Sequence, residues 1–230
     1  MAPLAPRHIA VPRTARYYVV GELGPDVRDV WVVCHGYGQL AAGFAEPFRS
    51  LVRGDRVIVV PEALSRFYLE MQPPHTPESA VGALWMTRED REAEIADIVT
   101  YLDTLVEHMF EELSAHGVQR GAVQVHALGF SQGAPVVCRW AARGVTQVRH
   151  VVLWGSGVPQ DVNLRGVTER WGALRVDMVY GEKDVYVTEE AVAAQRVVLD
   201  GSGVPYRVWT FSGGHVLNRG VLGKLMDGEG

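Results

Sequence analysis

Cysteine is scarce in this 230-residue chain, with Cys34 and Cys138 the only two. Both fall in apolar surroundings, so they read as small buried hydrophobes rather than a disulfide pair. No apolar run approaches the length of a membrane span, and Met-Ala-Pro-Leu-Ala-Pro-Arg at the N-terminus lacks the apolar core of a secretion signal. The expected location is therefore the cytoplasm, without integral membrane association. A basic excess is missing too: the net charge is −5 and the isoelectric point lies near 5.9, which leaves no electrostatic footprint for nucleic acid. Internal repeats and low-complexity segments are absent. What remains is an ordinary globular composition, 47% hydrophobic and 21% charged, in a length that suits one domain over residues 1–230.

Along the chain, residues 1–15 are Pro-rich and weakly patterned, and read as a surface tail. Continuous apolar runs at Val30–Cys34 and Val57–Val60 mark strands buried on both faces. Further strands are expected at Arg16–Gly21, Val123–Leu128, His150–Trp154, Arg175–Tyr180 and Tyr206–Phe211. Helical stretches are expected at Ala41–Val52, at Arg88–Ala115 with Thr87 as its N-cap, after the strand at Val123, near Thr188–Leu199 and at Val216–Met226. Buried strands alternating with amphipathic helices imply an α/β fold, a mostly parallel sheet covered by helices on both faces. Residues 62–86 form the longest stretch without a regular pattern. It holds Pro73, Pro74 and Pro77, yet it carries too many large apolar residues for a solvated linker, and is expected to lie as a loop over the site.

One stretch carries chemistry. Val123 to Pro135 reads as a buried strand that stops at Gly129-Phe130-Ser131-Gln132-Gly133 and resumes as a helix. Gly-x-Ser-x-Gly at such a switch is the nucleophile-elbow pattern, in which a strained turn lifts a serine hydroxyl above the sheet. Among the eight serines only Ser131 has glycine at both −2 and +2. A serine needs a base, and of eight histidines His215 sits best, in Ser212-Gly213-Gly214-His215 just beyond the last strand. His35 also lies at a strand end but opens the loop Gly36-Tyr37-Gly38. The base in turn needs a carboxylate, and Asp184 stands where the strand ending at Tyr180 opens into a loop, with Glu182 its nearest competitor. The order Ser131, Asp184, His215 is that of the α/β-hydrolase arrangement. Oxyanion donors are expected from the backbone N–H groups of Gln132 and Tyr37.

On His35-Gly36-Tyr37-Gly38, Gly129–Gly133, Gly181-Glu182-Lys183-Asp184, Gly214-His215 and the Trp85…Glu89-Asp90 segment that leads into a long helix, the chain resembles the α/β-hydrolase superfamily. Within it, the likeness is to the carboxylesterase/phospholipase branch that includes acyl-protein thioesterases. The resemblance implies a serine esterase with Ser131, Asp184 and His215 as triad and an oxyanion hole from Tyr37 and Gln132. It implies a small-molecule carboxylic ester, lysophospholipid or thioester as substrate, no cofactor and no metal, and allows a homodimer. Ala134-Pro135 departs from the branch, which has a second glycine and a small residue there. Pro135 falls in the first helical turn, where no N–H is missed. Phe67, Tyr68, Leu69, Met71, Trp85 and Met86 are candidates to line an acyl pocket or partial lid, or else core residues that pin the 62–86 segment. A hydrolase fold without catalysis is the rival reading, and it requires a broken triad or hole.

Overall fold

The computed structural model describes residues 4–228. Its centre is a seven-stranded sheet in the order β1-β3-β2-β6-β7-β8-β9. The strands are β1 (Tyr17–Val20), β2 (Asp29–Cys34), β3 (Arg56–Pro61), β6 (Gln124–Phe130), β7 (Val148–Trp154), β8 (Arg175–Gly181) and β9 (Tyr206–Phe211). All neighbours run parallel except β1, which pairs antiparallel with β3 at one edge. The runs that lack polar alternation, Val30–Cys34 and Val57–Val60, are buried on both faces, as a helix-covered sheet requires.

Six helices cover the sheet: α1 (Ala41–Ala45), α2 (Arg91–Ala115), α3 (Gly133–Arg143), α4 (Leu164–Trp171), α5 (Glu189–Ser202) and α6 (Arg219–Met226). One core joins Val30, Val32 and Ala127 to α2 and α3. On the opposite face Trp31, Val33, Ile58 and Leu128 meet Phe44 of α1 and Leu222 and Leu225 of α6. The α2 stripe Ile95, Ile98, Val99, Leu102, Leu105, Val106, Met109 and Leu113 is buried throughout. Removing such side chains from water is worth roughly 1.5–3 kcal/mol each. Cys34 and Cys138 are free and fully buried, and burial pushes the Cys138 thiol up to about 12. No described helix is long and apolar enough to cross a membrane.

Four local expectations need correction. Residues 62–86 are not irregular throughout: β4 (Ser65–Tyr68) and β5 (Val81–Leu84) pair antiparallel as a second, two-stranded sheet. The helix after Leu40 gives way at Glu46 to a 3₁₀ segment through Leu51, because Pro47 has no N–H to continue the α ladder. The long helix starts at Arg91, with Asp90 in the left-handed region at φ 47° as its N-cap. Thr87 instead holds the approach, its hydroxyl accepting from Glu89 N–H at 3.1 Å while Glu94 accepts from Thr87 N–H at 2.7 Å. Helix α4 stands outside every helical stretch expected from the sequence.

The pairing register sets the working end of the sheet. Cys34 pairs with Gly129, Phe130 with Trp154, and Gly181 with Phe211. The loops that leave β2, β6, β8 and β9 therefore emerge side by side at the carboxyl edge, where sites form in open parallel sheets.

Candidate active site

The turn after β6 shows why its glycines are needed. A Cβ on Gly129 would lie 2.2 Å from the Gly133 carbonyl oxygen, and one on Gly133 would lie 2.2 Å from the Cys34 carbonyl oxygen. Only two hydrogens in place of side chains let strand, turn and helix meet this closely. Ser131 itself has φ 52°, a left-handed conformation that costs a side-chain-bearing residue roughly 1–2 kcal/mol. Two bonds hold it there: Ser131 N–H donates to Trp154 O at 2.7 Å, and Ala134 N–H donates to Ser131 O at 3.0 Å. Helix α3 begins two residues later, so its positive end faces the serine.

Asp184 and His215 arrive on loops fastened to each other. Glu182 N–H donates to Phe211 O at 2.9 Å and Lys183 N–H to Gly213 O at 2.8 Å. A Cβ on Gly181 would meet Gly213 O at 2.2 Å, so these loops touch backbone to backbone. Across this junction His215 Nδ1 and Asp184 Oδ2 are 2.7 Å apart, with the carboxylate side chain 1% exposed. The second oxygen of Asp184 accepts from Tyr186 N–H at 2.9 Å. Glu182, the competing carboxylate, is exposed and outside this network.

The imidazole of His215 lies among three groups that motif reading passed over. The Phe130 ring is 4.9 Å from it and the Tyr186 ring 4.9 Å, edge-on. Gly155, in the left-handed region at φ 65°, leaves the space that His215 occupies. Trp154 Nε1–H donates to Val216 O at 2.9 Å and ties the residue after His215 to the sheet. Ser131 and His215 flank Phe130 and Gly155 without a hydrogen bond between them among the described residues. Such contacts often tighten only around substrate. Phe130 and Gly155 left no sequence signal, one being the variable place of a motif and the other one glycine among 25.

The loop after β2 is built to present an amide. His35 is fully buried: its Nδ1 donates to Gly36 O at 2.7 Å, and its Nε2 accepts from Ala63 N–H at 3.1 Å. That pattern fixes the neutral tautomer, and burial lowers the imidazole's affinity for a proton in the same sense. His35 is thus committed to the scaffold and is not the base. Gly38 N–H donates to Ala83 O at 2.8 Å and Gly36 N–H to Gln39 Oε1 at 2.8 Å, so β5 buttresses the loop. The N–H groups of Tyr37 and Gln132 have no acceptor among the described residues. The Gln132 side chain is occupied elsewhere: Oε1 accepts from Trp85 N–H at 2.9 Å and Nε2 donates to Met86 O at 2.9 Å.

The six apolar candidates separate into two groups. Phe67 packs its ring 5.2 Å from Tyr37, Tyr68 stacks on His75, and Leu69 touches the Gly38–Gly82 contact. Met71 projects outward, 96% exposed. Trp85 is buried behind the loop, donating to His35 O at 2.8 Å, and Met86 accepts from Arg139 Nη1 at 3.4 Å through its sulfur. The hairpin itself hangs on buried Glu62. That carboxylate takes Arg16 in a fork, Arg66 at 2.6 Å and Ala41 N–H at 3.2 Å; burial opposes its charge, but these donors hold its pKa below the ordinary value.

Strand order, helices on both faces and a serine elbow at the carboxyl edge define an α/β-hydrolase fold. Solved structures agree in fold. The esterase PE8 superposes with a TM-score of 0.65 at 16% identity, covering 94% of this chain and 99% of that one. A carboxylesterase from Mesorhizobium loti gives 0.66 at 17%, covering 93% and 95%, and Zea mays acyl-protein thioesterase 2 gives 0.60 at 16%, covering 94% and 99%. No curated protein matches the sequence. The model of the phospholipase/carboxylesterase family matches residues 17–213, and the chain belongs to that family. It is thereby an esterase-type hydrolase at the level of its family.

Proposed function

We propose that the protein is a serine carboxylesterase working through Ser131, His215 and Asp184. The observation that carries this reading is the 2.7 Å contact of His215 Nδ1 with the buried Asp184 carboxylate, set beside a serine held at φ 52°. Asp184 keeps the proton on Nδ1, which leaves Nε2 as the acceptor for the serine proton. Ser131 Oγ attacks the ester carbonyl, and the carbonyl oxygen gathers negative charge between the amides of Tyr37 and Gln132. Collapse of the tetrahedral intermediate expels the alcohol, which takes its proton from His215. Water then repeats the sequence on the acyl-enzyme and regenerates Ser131.

Tyr37, Phe67 and Leu69 contact the acyl chain as an apolar wall, while Trp85 and Met86 support the loop behind it. The same machinery accepts thioesters, lysophospholipids and dienelactones, so the leaving group is a matter for a substrate panel. Labelling by a fluorophosphonate probe tests the catalytic reading. Wild type is expected to label and Ser131→Ala to stay unlabelled. Absence of labelling in wild type, or undiminished labelling of the variant, overturns it. Rates on matched oxyesters, thioesters and lysolipids then rank the substrate classes, with oxyesters expected first.

A further inference from the structure

The amino ends of the strands, opposite the elbow, carry a second constellation. A cavity of about 350 Å³ opens there, its wall including Asp29, Arg53, Arg56, His126, Arg149 and Arg175. A larger cavity of about 720 Å³ adjoins it and shares Arg149 and Arg175. Arg53, Arg56, Arg149 and Arg175 face Asp29 and Asp227 in the smaller cavity's wall, a positive balance in a chain whose net charge is −5.

The balance survives a closer look at the pairs. Arg53 is held by Asp55 at 3.0 Å and Arg56 by Asp227 at 3.0 Å. Arg175 shares Asp177, which it contacts at 3.0 Å, with Arg207 at 2.8 Å and His150 at 2.7 Å, and its Nη2 lies 3.4 Å from His150 Nδ1. Arg149 is exposed and has no ion-pair partner among the described residues. Three nitrogens of this wall, Arg56 Nε, His126 Nδ1 and Arg175 Nε, are buried without a hydrogen-bond partner, and no other described side chain has such an atom. Arg56 as a whole is only 3% exposed. An unmet buried donor or acceptor costs roughly 1–3 kcal/mol, and native structures keep few of them. All three belong to residues that line this cavity. His126 is held in the same wall: its Nε2 lies 2.8 Å from Asp29 Oδ1 and its ring is stacked 4.7 Å from Trp31.

We propose that this cavity is a binding site for a phosphate group, borne by a small soluble phosphate monoester or by a lipid headgroup. Guanidinium groups supply the forked donors that phosphate oxygens accept, and the cavity is within the size range of small-molecule sites. The site is independent of the ester chemistry at the other end of the sheet.

Calorimetric titration of the full chain with inorganic phosphate, at ionic strength matched by chloride, tests the proposal. Saturable one-to-one binding is expected. Arg149→Gln removes an exposed side chain without a partner, so the fold is kept, and it is expected to weaken binding roughly tenfold, the worth of one charge-assisted hydrogen bond. Arg88→Gln makes the same charge change at the opposite end of the sheet and is expected to leave binding unchanged. Vesicles of phosphatidylcholine with and without phosphatidate separate the sources. Phosphate binding with no vesicle association assigns a soluble ligand, and vesicle association that is competed by free phosphate assigns a headgroup. No saturable phosphate binding, equal weakening by Arg88→Gln, or vesicle association that Arg149→Gln does not reduce overturns the site.

Discussion

Gly155 makes the room that His215 occupies: a Cβ at that glycine would stand 2.7 Å from the imidazole Cε1 and 3.0 Å from Nδ1. The position also has φ 65°, so a side chain there is strained before it meets anything. Gly155→Ala is expected to push the ring off its line to Ser131 while most of the fold stays. Displacement of a reacting group by about 1 Å costs on the order of 100-fold in rate. Turnover of a p-nitrophenyl ester together with the melting temperature checks this, and full activity in a folded variant would count against His215 as base.

Asp184 and Glu182 offer a sharper contrast, because only Asp184 touches the imidazole. Asp184→Asn presents an amide where a carboxylate held the tautomer, and kcat is expected to fall by about 10⁴ with the fold retained. Glu182→Gln alters an exposed side chain and is expected to leave kcat unchanged.

Gln132 has two separable parts, a backbone N–H proposed for the oxyanion and a side chain bonded to the neighbouring segment. Gln132→Ala keeps the backbone N–H at the reaction centre but frees Trp85 N–H and Met86 O from their partner. Lost stability of about 1–3 kcal/mol in urea unfolding is expected, with KM affected more than kcat. A collapse of kcat alone would mean the side chain itself serves the oxyanion.

The apolar wall and its support are separable by the same logic. Leu69→Ala, at a half-exposed position, is expected to change acyl-chain preference with little change in melting temperature. Trp85→Ala empties a buried site and strips His35 O of its donor, so it is expected to cost about 3–5 kcal/mol. Unchanged chain-length preference in Leu69→Ala would remove that residue from the acyl site.

Acid is expected to destabilise the protein in two stages. Burial pushes His150 down from 6.5 to about 4 against the opposing hydrogen bond from Asp177, with Arg175 adding a smaller push in the same direction as burial. Its folded value is depressed, so the unfolded chain binds the extra proton first. Stability therefore falls as pH drops from 6.5 toward 4, by up to about 3 kcal/mol. Asp177 is also held low: burial opposes its charge, but His150, Arg207 and Trp209 more than compensate. Arg139 holds Asp161 down to about 2. Both carboxylates add a second loss below the unfolded value of 3.8. Urea midpoints across this range check the order, and His150→Gln should flatten the first stage.

Much of this fold is written in residue type. Val30–Cys34 and Val57–Val60 are apolar at every position because both faces of their strands are covered, and Ser131, Asp184 and His215 are placed by the strand ends that precede them. The β4–β5 hairpin was hidden because Ser65–Tyr68 alternates between half-buried and exposed positions beside a proline-rich turn. Among the described side chains of α4, little more than Leu164 and Val167 turns inward, too few to mark a period. Gly155, Phe130 and the arginines at the strand starts are far apart in the chain. Only the pairing register brings them to their sites.

Strand β9, whose following loop carries His215, lies at the edge of the sheet and is bonded on one side only, to β8. Ser131 follows a strand enclosed by β2 and β7. The proposed base is thus mounted beside the weaker part of the sheet and the proposed nucleophile beside the stronger. Rising denaturant will detach the edge first, leaving a molecule whose serine is still correctly held but has nothing to take its proton. Activity will vanish at a lower denaturant concentration than the bulk of the helical signal.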